Sequence, residues 1–290
     1  AQPTAMESAE LFLGDNGPHQ PAQRAAQLIP VMQQRGIDIT YTENVNHLNP
    51  AMLNQYDGLI IYANITAITK EQESALLDYV KGGGGFVPIH CASYCFLNSP
   101  KYVALVGAQF QRHGTGVFRV QTMKPQHAVT KDVSKIDFES WDETYVHTKH
   151  NDENRTVLQT RKEGDRDEPW TWVRTEGAGR VFYTAWGHDH RTWGEPGFHE
   201  LIERGIRWAT SPRVEARIAK RTDAQPFKYI KAGDRIPNYT PGAKWGTQDK
   251  PIDTMQAPLP PEESVKHIVT PPGMKATVFA AEPDIRPALA

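Results

Sequence analysis

The chain has 290 residues, of which 39% are hydrophobic and 23% are charged, a composition typical of globular proteins that bury a substantial core. Its formal charge of -2 comes from 32 basic and 34 acidic residues without long runs of like charge, which argues against nucleic acid or an anionic membrane as a partner. No stretch approaches the roughly 20 apolar residues that a transmembrane helix needs. We therefore expect no membrane span.

Strand and helix patterns alternate in the first part of the chain. The predicted strands are apolar or alternating runs at residues 10–14 (ELFLG), 37–42, 57–63 (DGLIIYA) and 85–89 (GFVPI). Helices are predicted between them at 21–35 and at 69–81, where Thr69 is a suitable N-cap. Repeated strand, helix and strand units predict an α/β fold with a mostly parallel sheet and right-handed crossovers.

Strand patterns dominate the middle of the chain. They lie at residues 116–122, 137–141, 155–160, 170–174 and 179–186, and the last of these leads into Gly187-His188-Asp189-His190. A final amphipathic helix is predicted at 197–209, where it would complete the domain.

Residues 213–290 differ from the rest because they are rich in proline and poor in periodic segments. A segment of this length without clear elements indicates a linker or a wrapping extension rather than a loop. We predict an α/β domain at 1–212 and an extended tail at 213–290 that leads to a further domain. Within the tail, residues 276–282 (ATVFAAE) have the pattern of a single strand.

Histidines are placed where a parallel sheet would bind ligands. His90 directly follows the predicted strand 85–89, and ligands of open α/β sheets bind outside the carboxyl ends of the strands. Other histidines also follow predicted strands or their ends: His19, His113, His147, His188 and His190. A lone histidine is most often a surface residue, but this joint placement predicts metal binding or proton transfer.

Several segments resemble one family. Residues 83–92 (GGGFVPIHCA) resemble the GGGFVGIHSA segment of the ThuA-like proteins, which are named for trehalose utilisation. Further matching segments follow in the family's order: LVGAQF (105–110) with His113, HAVT (127–130), DETY (142–145), and GRVFY (179–183) through Gly187-His188. The resemblance covers roughly residues 9–210 and implies a flavodoxin-like, three-layer α/β sandwich related to class I glutamine amidotransferases.

The comparison with amidotransferases bears on the chemistry. Those enzymes carry a cysteine nucleophile at a turn between strand and helix, with a histidine partner at the end of a later strand. By resemblance, His90 occupies the first position and His188 the second, so that glutaminase chemistry lacks its nucleophile. Cys91 is one residue further on. A cysteine hydrolase using Cys91 and His188 therefore stays open, as does a buried pair of free thiols at Cys91 and Cys95.

The tail carries a second resemblance. Residues 259–264 (LPPEES) and 278–283 (VFAAEP) resemble the junction before sugar-dehydrogenase-like β-propeller and c-type haem modules of large secreted bacterial proteins. This implies a downstream dehydrogenase or haem domain in the same polypeptide and a periplasmic or secreted location. The Ala-Gln-Pro start is compatible with removal of a signal peptide, or with trimming of the chain. We expect neither haem, because Cys-x-x-Cys-His is lacking, nor nucleotide in this segment.

The predicted site consists of three overlapping groups of residues. The metal ligands are His90, His113, Glu143 and His188; the catalytic groups are His90, His188 and Glu143; the substrate contacts are His19, Tyr145, Trp186, Asp189 and His190. Neutral imidazoles with one carboxylate suit Zn²⁺ or Mn²⁺. Tyr145 and Trp186 would flank a sugar ring, with ordinary core packing as the alternative. For Glu143 the alternative is a solvated strand end.

The family resemblance implies a carbohydrate substrate, often beside oxidoreductases that make 3-keto sugars. A keto group acidifies the adjacent C–H, so a histidine or glutamate base and a metal on the carbonyl would remove that proton and expel the glycosidic oxygen. We hypothesise metal-assisted hydrolysis or elimination on a keto-glycoside or related sugar. A non-catalytic carbohydrate-binding or docking module of a sugar dehydrogenase is the alternative from another class.

Overall fold

The computed structural model describes residues 8–219, 228–231, 254–257, 259–268 and 276–278. The chain divides into two compact units, residues 1–216 and 217–290. The predicted boundary after residue 212 falls inside the last long helix of the first unit, and the division into an α/β domain and an extended tail stays a prediction.

The described strands are β1 (Ser8–Leu13), β2 (Ile37–Thr42), β3 (Gly58–Ile61), β4 (Gly85–Pro88), β5 (Gln109–Arg112), β6 (Thr115–Phe118), β7 (Gln121–Thr122), β8 (Ser140–Glu143), β9 (Val146–Thr148), β10 (Arg155–Glu163), β11 (Arg166–Glu176), β12 (Gly179–Thr184), β13 (Tyr229–Lys231) and β14 (Thr254–Gln256). The α-helices are α1 (Pro21–Gln34), α2 (Pro50–Leu53), α3 (Lys70–Lys81), α4 (Pro100–Val106), α5 (His190–Gly194), α6 (Pro196–Ala219) and α7 (Pro261–Ser264).

Eight strands form the central sheet, in the order β2-β1-β3-β4-β12-β11-β10-β7. The first five are parallel neighbours, and their order is the 2-1-3-4-5 order of flavodoxin-like folds. The last three run antiparallel to their neighbours. The predicted α/β class with a mostly parallel, flavodoxin-like sheet is confirmed.

The two central parallel strands, β3 and β4, are apolar along their whole length because both faces of the sheet are covered there. All residues of β3 and β4 are buried. α3 begins as predicted, with Thr69 accepting a hydrogen bond from the Gln72 amide while the Gln72 side chain bonds back to Thr69. The core therefore holds the carboxyl ends of β1, β3, β4 and β12 in fixed positions.

Between α4 and β10 the chain leaves the central sheet, except at β7, which pairs with β10. Residues 109–148, which we call the excursion, form two small antiparallel pairs, β5 with β9 and β6 with β8. The strand predicted at 137–141 is shifted to Ser140–Glu143, because Thr115–Phe118 of β6 pairs with those residues. The excursion therefore carries Glu143 at the end of β8.

The helix α6 continues through Pro212, although we predicted its end at residue 209. Proline has no N–H, so the carbonyl of Trp208, four residues earlier, loses its helical donor. The Arg180 guanidinium supplies one, with Nη1 donating to the Trp208 oxygen at 3.1 Å. Nη1 also lies 2.8 Å from Ser211 Oγ. A side chain from β12 thus supports the helix across the proline.

The described part of the second unit contains little regular structure. β13 and β14 form a short antiparallel pair, and α7 is a single turn. Of the strand predicted at 276–282, residues 276–278 are not in a strand and the others lie outside the described residues. Among the helices that the structure describes, none is long and apolar enough to cross a membrane.

Candidate functional site

Four strand ends of the parallel sheet contribute to one site. His19 lies between β1 and α1, Asn64 follows β3, His90 follows β4, and His188 follows β12. The strand order reverses between β1 and β3, which is where open α/β sheets bind ligands. Glu143 approaches the same point from β8 of the excursion. The site thus combines side chains from the sheet with one carboxylate from outside it.

The Glu143 carboxylate is surrounded by imidazoles. Its Oε2 lies 3.2 Å from His90 Nε2 and 4.0 Å from His19 Nε2, and its Oε1 lies 3.1 Å from His188 Nδ1. One ligand atom from each of these four residues lies within 4.8 Å of all the others. This spacing would place all four around a single ion.

Backbone and amide oxygens fix two of the rings. His90 Nδ1 lies 2.6 Å from the Ala185 carbonyl oxygen, and His19 Nδ1 lies 2.7 Å from Asn64 Oδ1. Because these oxygens only accept, each Nδ1 carries the proton, and the Nε2 lone pair faces the carboxylate. An N–H bonded to an oxygen behind the ring is the arrangement that orients histidine ligands in metal sites.

Two of the converging nitrogens have no hydrogen-bond partner. Among the described residues, none hydrogen-bonds to His19 Nε2 or to His188 Nδ1, although both atoms are buried. The contact between His188 Nδ1 and Glu143 is short, but it is out of line for a hydrogen bond. Buried lone pairs that face a carboxylate repel each other unless a proton or a cation lies between them. The donor set fits a divalent metal ion.

His90 and Glu143 have the protonation states of metal ligands, whereas His188 would release a proton when it binds a metal. Burial lowers the pKa of His90, and contacts with Glu143 only partly oppose this effect. Burial raises the pKa of the Glu143 carboxyl, but the nearby imidazoles of His188, His19 and His90 outweigh this effect and hold the pKa well below its usual range. For His188 burial lowers the pKa, while Glu143 outweighs burial and raises it overall. A neutral imidazole and an ionised carboxylate are the forms that bind metals.

His90 sits in a constrained turn. Its φ of 48° lies in the left-handed region, which non-glycine residues adopt rarely and mostly at functional sites. Gly187 packs directly against it, with a φ of 131°, and a Cβ there would lie 3.3 Å from His90 Cβ. The Tyr145 ring stacks on the imidazole with centroids 4.0 Å apart. The ring of His90 is therefore held from several sides.

The family of the chain follows from its sequence. A family model described as ThuA, trehalose utilisation, matches residues 11–209. The chain belongs to the ThuA family. A ThuA-like protein from Bacteroides uniformis has 20% identity and a TM-score of 0.61, covering 71% of this chain and 92% of that protein. One from Parabacteroides merdae has 18% identity and a TM-score of 0.62, covering 71% and 90%. At this identity the likeness concerns the fold. No curated protein sequence matches the chain.

The other predicted site residues lie at the edge of the group of four or away from it. His113 Nε2 is 3.4 Å from Glu143 Oε1, its side chain is 39% exposed, and it lies outside the group of four. Asp189 caps α5 and pairs with Arg191, and His190 is exposed. Trp186 is 0% exposed and stacks on Phe118, which is ordinary core packing.

Cys91 lacks the features of a nucleophile. The thiol is completely buried, and burial raises its pKa well above the usual value. Reactive cysteines are partly exposed thiolates with a lowered pKa. The geometry therefore disfavours the cysteine-hydrolase alternative.

Sequence reasoning missed three residues that organise the site. Asn64 orients His19, Asp15 Oδ2 accepts the Asn64 backbone N–H at 2.7 Å, and Asp142 binds the loop that carries His188. Asn64 and Asp15 each follow a buried strand almost directly. Their position just after a strand is the sequence signal that marks them, as it marks the histidines.

Proposed function

We propose that the chain binds one divalent cation, Zn²⁺ or Mn²⁺, through His19, His90, Glu143 and His188, and that it processes a keto-glycoside or related small carbohydrate by hydrolysis or elimination. The observation that carries the metal part is the pair of buried, unpartnered imidazole nitrogens beside an ionised carboxylate. The family description, trehalose utilisation, supports the carbohydrate part. His19 thereby moves from the substrate contacts to the ligand set.

The residues at the edge of the site would serve the substrate. A bound divalent cation supplies Lewis-acid polarisation of a keto oxygen. His113 is exposed and outside the ligand group, and its Nδ1 lies 3.1 Å from the Gly114 carbonyl oxygen, which leaves Nε2 as a base. In an elimination, Nε2 would take the proton next to the keto group and return it to the departing glycosidic oxygen. Tyr145 would hold the His90 ring.

Metal content of the purified protein tests the first part. We expect one equivalent of Zn²⁺ or Mn²⁺ by mass spectrometry in the wild-type chain and less than a tenth of that in the double variant His90→Ala, His188→Ala. His127→Ala is the matched control, because His127 packs on Trp208 and takes no part in the ligand group. Equal metal content in wild type and double variant would contradict the assignment.

Turnover tests the second part. The metal-loaded protein should cleave a 3-keto-glycoside and leave the parent glycoside intact, because the parent lacks the acidified C–H. His113→Ala should lower kcat by about 100-fold while the metal content stays the same. Binding of the sugar without cleavage would favour the docking module instead.

A further inference from the structure

A chain of buried polar side chains lies behind His90, outside the ligand group. Glu168 Oε1 accepts the backbone N–H of His147 at 2.8 Å and lies 3.3 Å from His147 Nδ1. His147 Nε2 is 3.0 Å from the Tyr183 hydroxyl. Glu168, His147 and Tyr183 are all nearly or completely buried. The metal site proposed above uses none of them as a ligand.

The chain ends on the backbone of His90. The Tyr183 hydroxyl lies 3.1 Å from the His90 carbonyl oxygen, and Ser93 Oγ donates to the same oxygen at 3.0 Å. The two hydroxyls are 3.1 Å apart. They hold the carbonyl of a residue whose φ is 48°, a conformation that persists only where the surroundings enforce it.

The strand β12 and its extension hold His90 at two places. Tyr183 binds the carbonyl, and two residues further on the Ala185 oxygen accepts the ring Nδ1–H at 2.6 Å. The backbone and the ring of His90 are therefore both held by residues 183–185. A displacement of the His90 carbonyl would turn the ring away from Glu143, because Gly187 and Tyr145 leave it little room to compensate.

General core packing does not account for a polar chain at this depth. Buried polar and ionisable groups cost free energy unless every one is satisfied, so apolar side chains of the same volume would serve stability at least as well. Burial lowers the pKa of His147, so the ring is neutral and carries one N–H. Since the Tyr183 hydroxyl donates its one proton to the His90 carbonyl, His147 donates from Nε2 to the Tyr183 oxygen, and Glu168 holds His147 by its backbone N–H. The polar chain differs from apolar packing because hydrogen bonds have a preferred direction, and they fix the position of the His90 carbonyl oxygen.

We propose that Glu168, His147 and Tyr183 are positioning residues that hold His90 in its left-handed turn and aim its Nε2 at the metal, an inference that rests on the proposed metal site. Outer residues of this kind commonly change metal affinity by 10- to 100-fold when they are replaced.

The test compares two tyrosine-to-phenylalanine variants. Tyr183→Phe removes the hydroxyl on the His90 carbonyl. Tyr79→Phe is the control. Tyr79 lies on α3, and its hydroxyl donates to the Tyr56 carbonyl at 3.2 Å. Both should lower the melting temperature by similar amounts. Only Tyr183→Phe should weaken Zn²⁺ binding, by about 10-fold in Kd, measured by competition with a chromophoric chelator. Equal Kd values for the two variants would overturn the proposal.

A second pair of variants tests the middle of the chain. His147→Gln keeps an amide that can bond both neighbours, whereas His147→Leu keeps only volume. We expect Zn²⁺ affinity within about 3-fold of wild type for the first and a loss of about 10-fold or more for the second. If His147 had a purely structural role, the two variants would differ in melting temperature but have the same Kd for Zn²⁺, and this result would contradict the proposal.

Crystal structures of the metal-free variants separate this inference from the proposed function. In Tyr183→Phe the distance from His90 Nε2 to Glu143 Oε2 should exceed the present 3.2 Å, while in Tyr79→Phe it should not change. If the wild type binds no metal, the proposed function fails and this displacement still decides the positioning role. If His90 stays in place in Tyr183→Phe, the positioning role fails whatever metal the wild type binds.

Discussion

Asp142 organises the site without belonging to the ligand group. Its two carboxylate oxygens accept four hydrogen bonds, from the backbone amides of Glu143, Gly187 and His188 and from the Thr192 hydroxyl. One completely buried side chain thereby ties the end of β8 to the loop after β12. Nothing in the sequence indicates which loop Asp142 binds.

Replacing Asp142 tests this role at the scale of a residue. In Asp142→Asn one oxygen becomes an NH₂ group that faces other donors, so we expect the free energy of unfolding to fall by about 3 kcal/mol and metal affinity to fall with it. Urea denaturation and chelator competition would measure the two effects. Asp137→Asn is the control, because Asp137 pairs with Arg119 at the surface and such pairs contribute little. Similar losses in both variants would contradict the role.

At the scale of elements, the parallel strands were predictable, whereas the excursion was predicted only in part, by the strands at 116–122 and 137–141 that overlap β6, β7 and β8. The run DGLIIYA contains β3, because a strand buried on both faces must be apolar throughout. Residues 37–42 are β2 to the residue, and their alternation of apolar and polar side chains marked this edge strand. β5 and β9 have three or four residues each, too few for a period to show. Their pairing depends on partners far along the chain, which periodicity does not report.

The support of α6 by Arg180 can be measured with a double-mutant cycle. Arg180→Met keeps the apolar stem and removes the closer of two side-chain donors to the Trp208 carbonyl, the other being Ser211 Oγ at 3.4 Å. We expect a loss of about 2 kcal/mol in the free energy of unfolding. Pro212→Ala restores the helical N–H. In that background Arg180→Met should cost clearly less, and an unchanged cost would show that Arg180 does not compensate for the proline.

At the scale of the whole molecule, the sequence identified the residues of the site more accurately than it identified their roles. His90, Glu143 and His188 do lie together, because strand ends and one adjacent acidic pair marked them. His19 and His113 exchange roles in our proposal, since only coordinates tell which of them faces the carboxylate from inside. The tail, the downstream dehydrogenase or haem domain and the periplasmic or secreted location stay predictions.

The way in which the excursion is attached to the sheet affects where the protein unfolds locally and where a protease can cut it. Three of the four proposed ligands belong to the sheet and the fourth, Glu143, ends a strand whose described partner, β6, is itself in the excursion. A bound cation would add a further cross-link to those that Asp142 and the pairing of β7 with β10 already make between the excursion and the sheet. Its removal would lower the free energy needed to open the excursion locally. Trypsin should cut within residues 109–148 several-fold faster after chelation, with the sheet still intact by circular dichroism. A Glu143→Gln variant should be cut quickly whether or not metal is present.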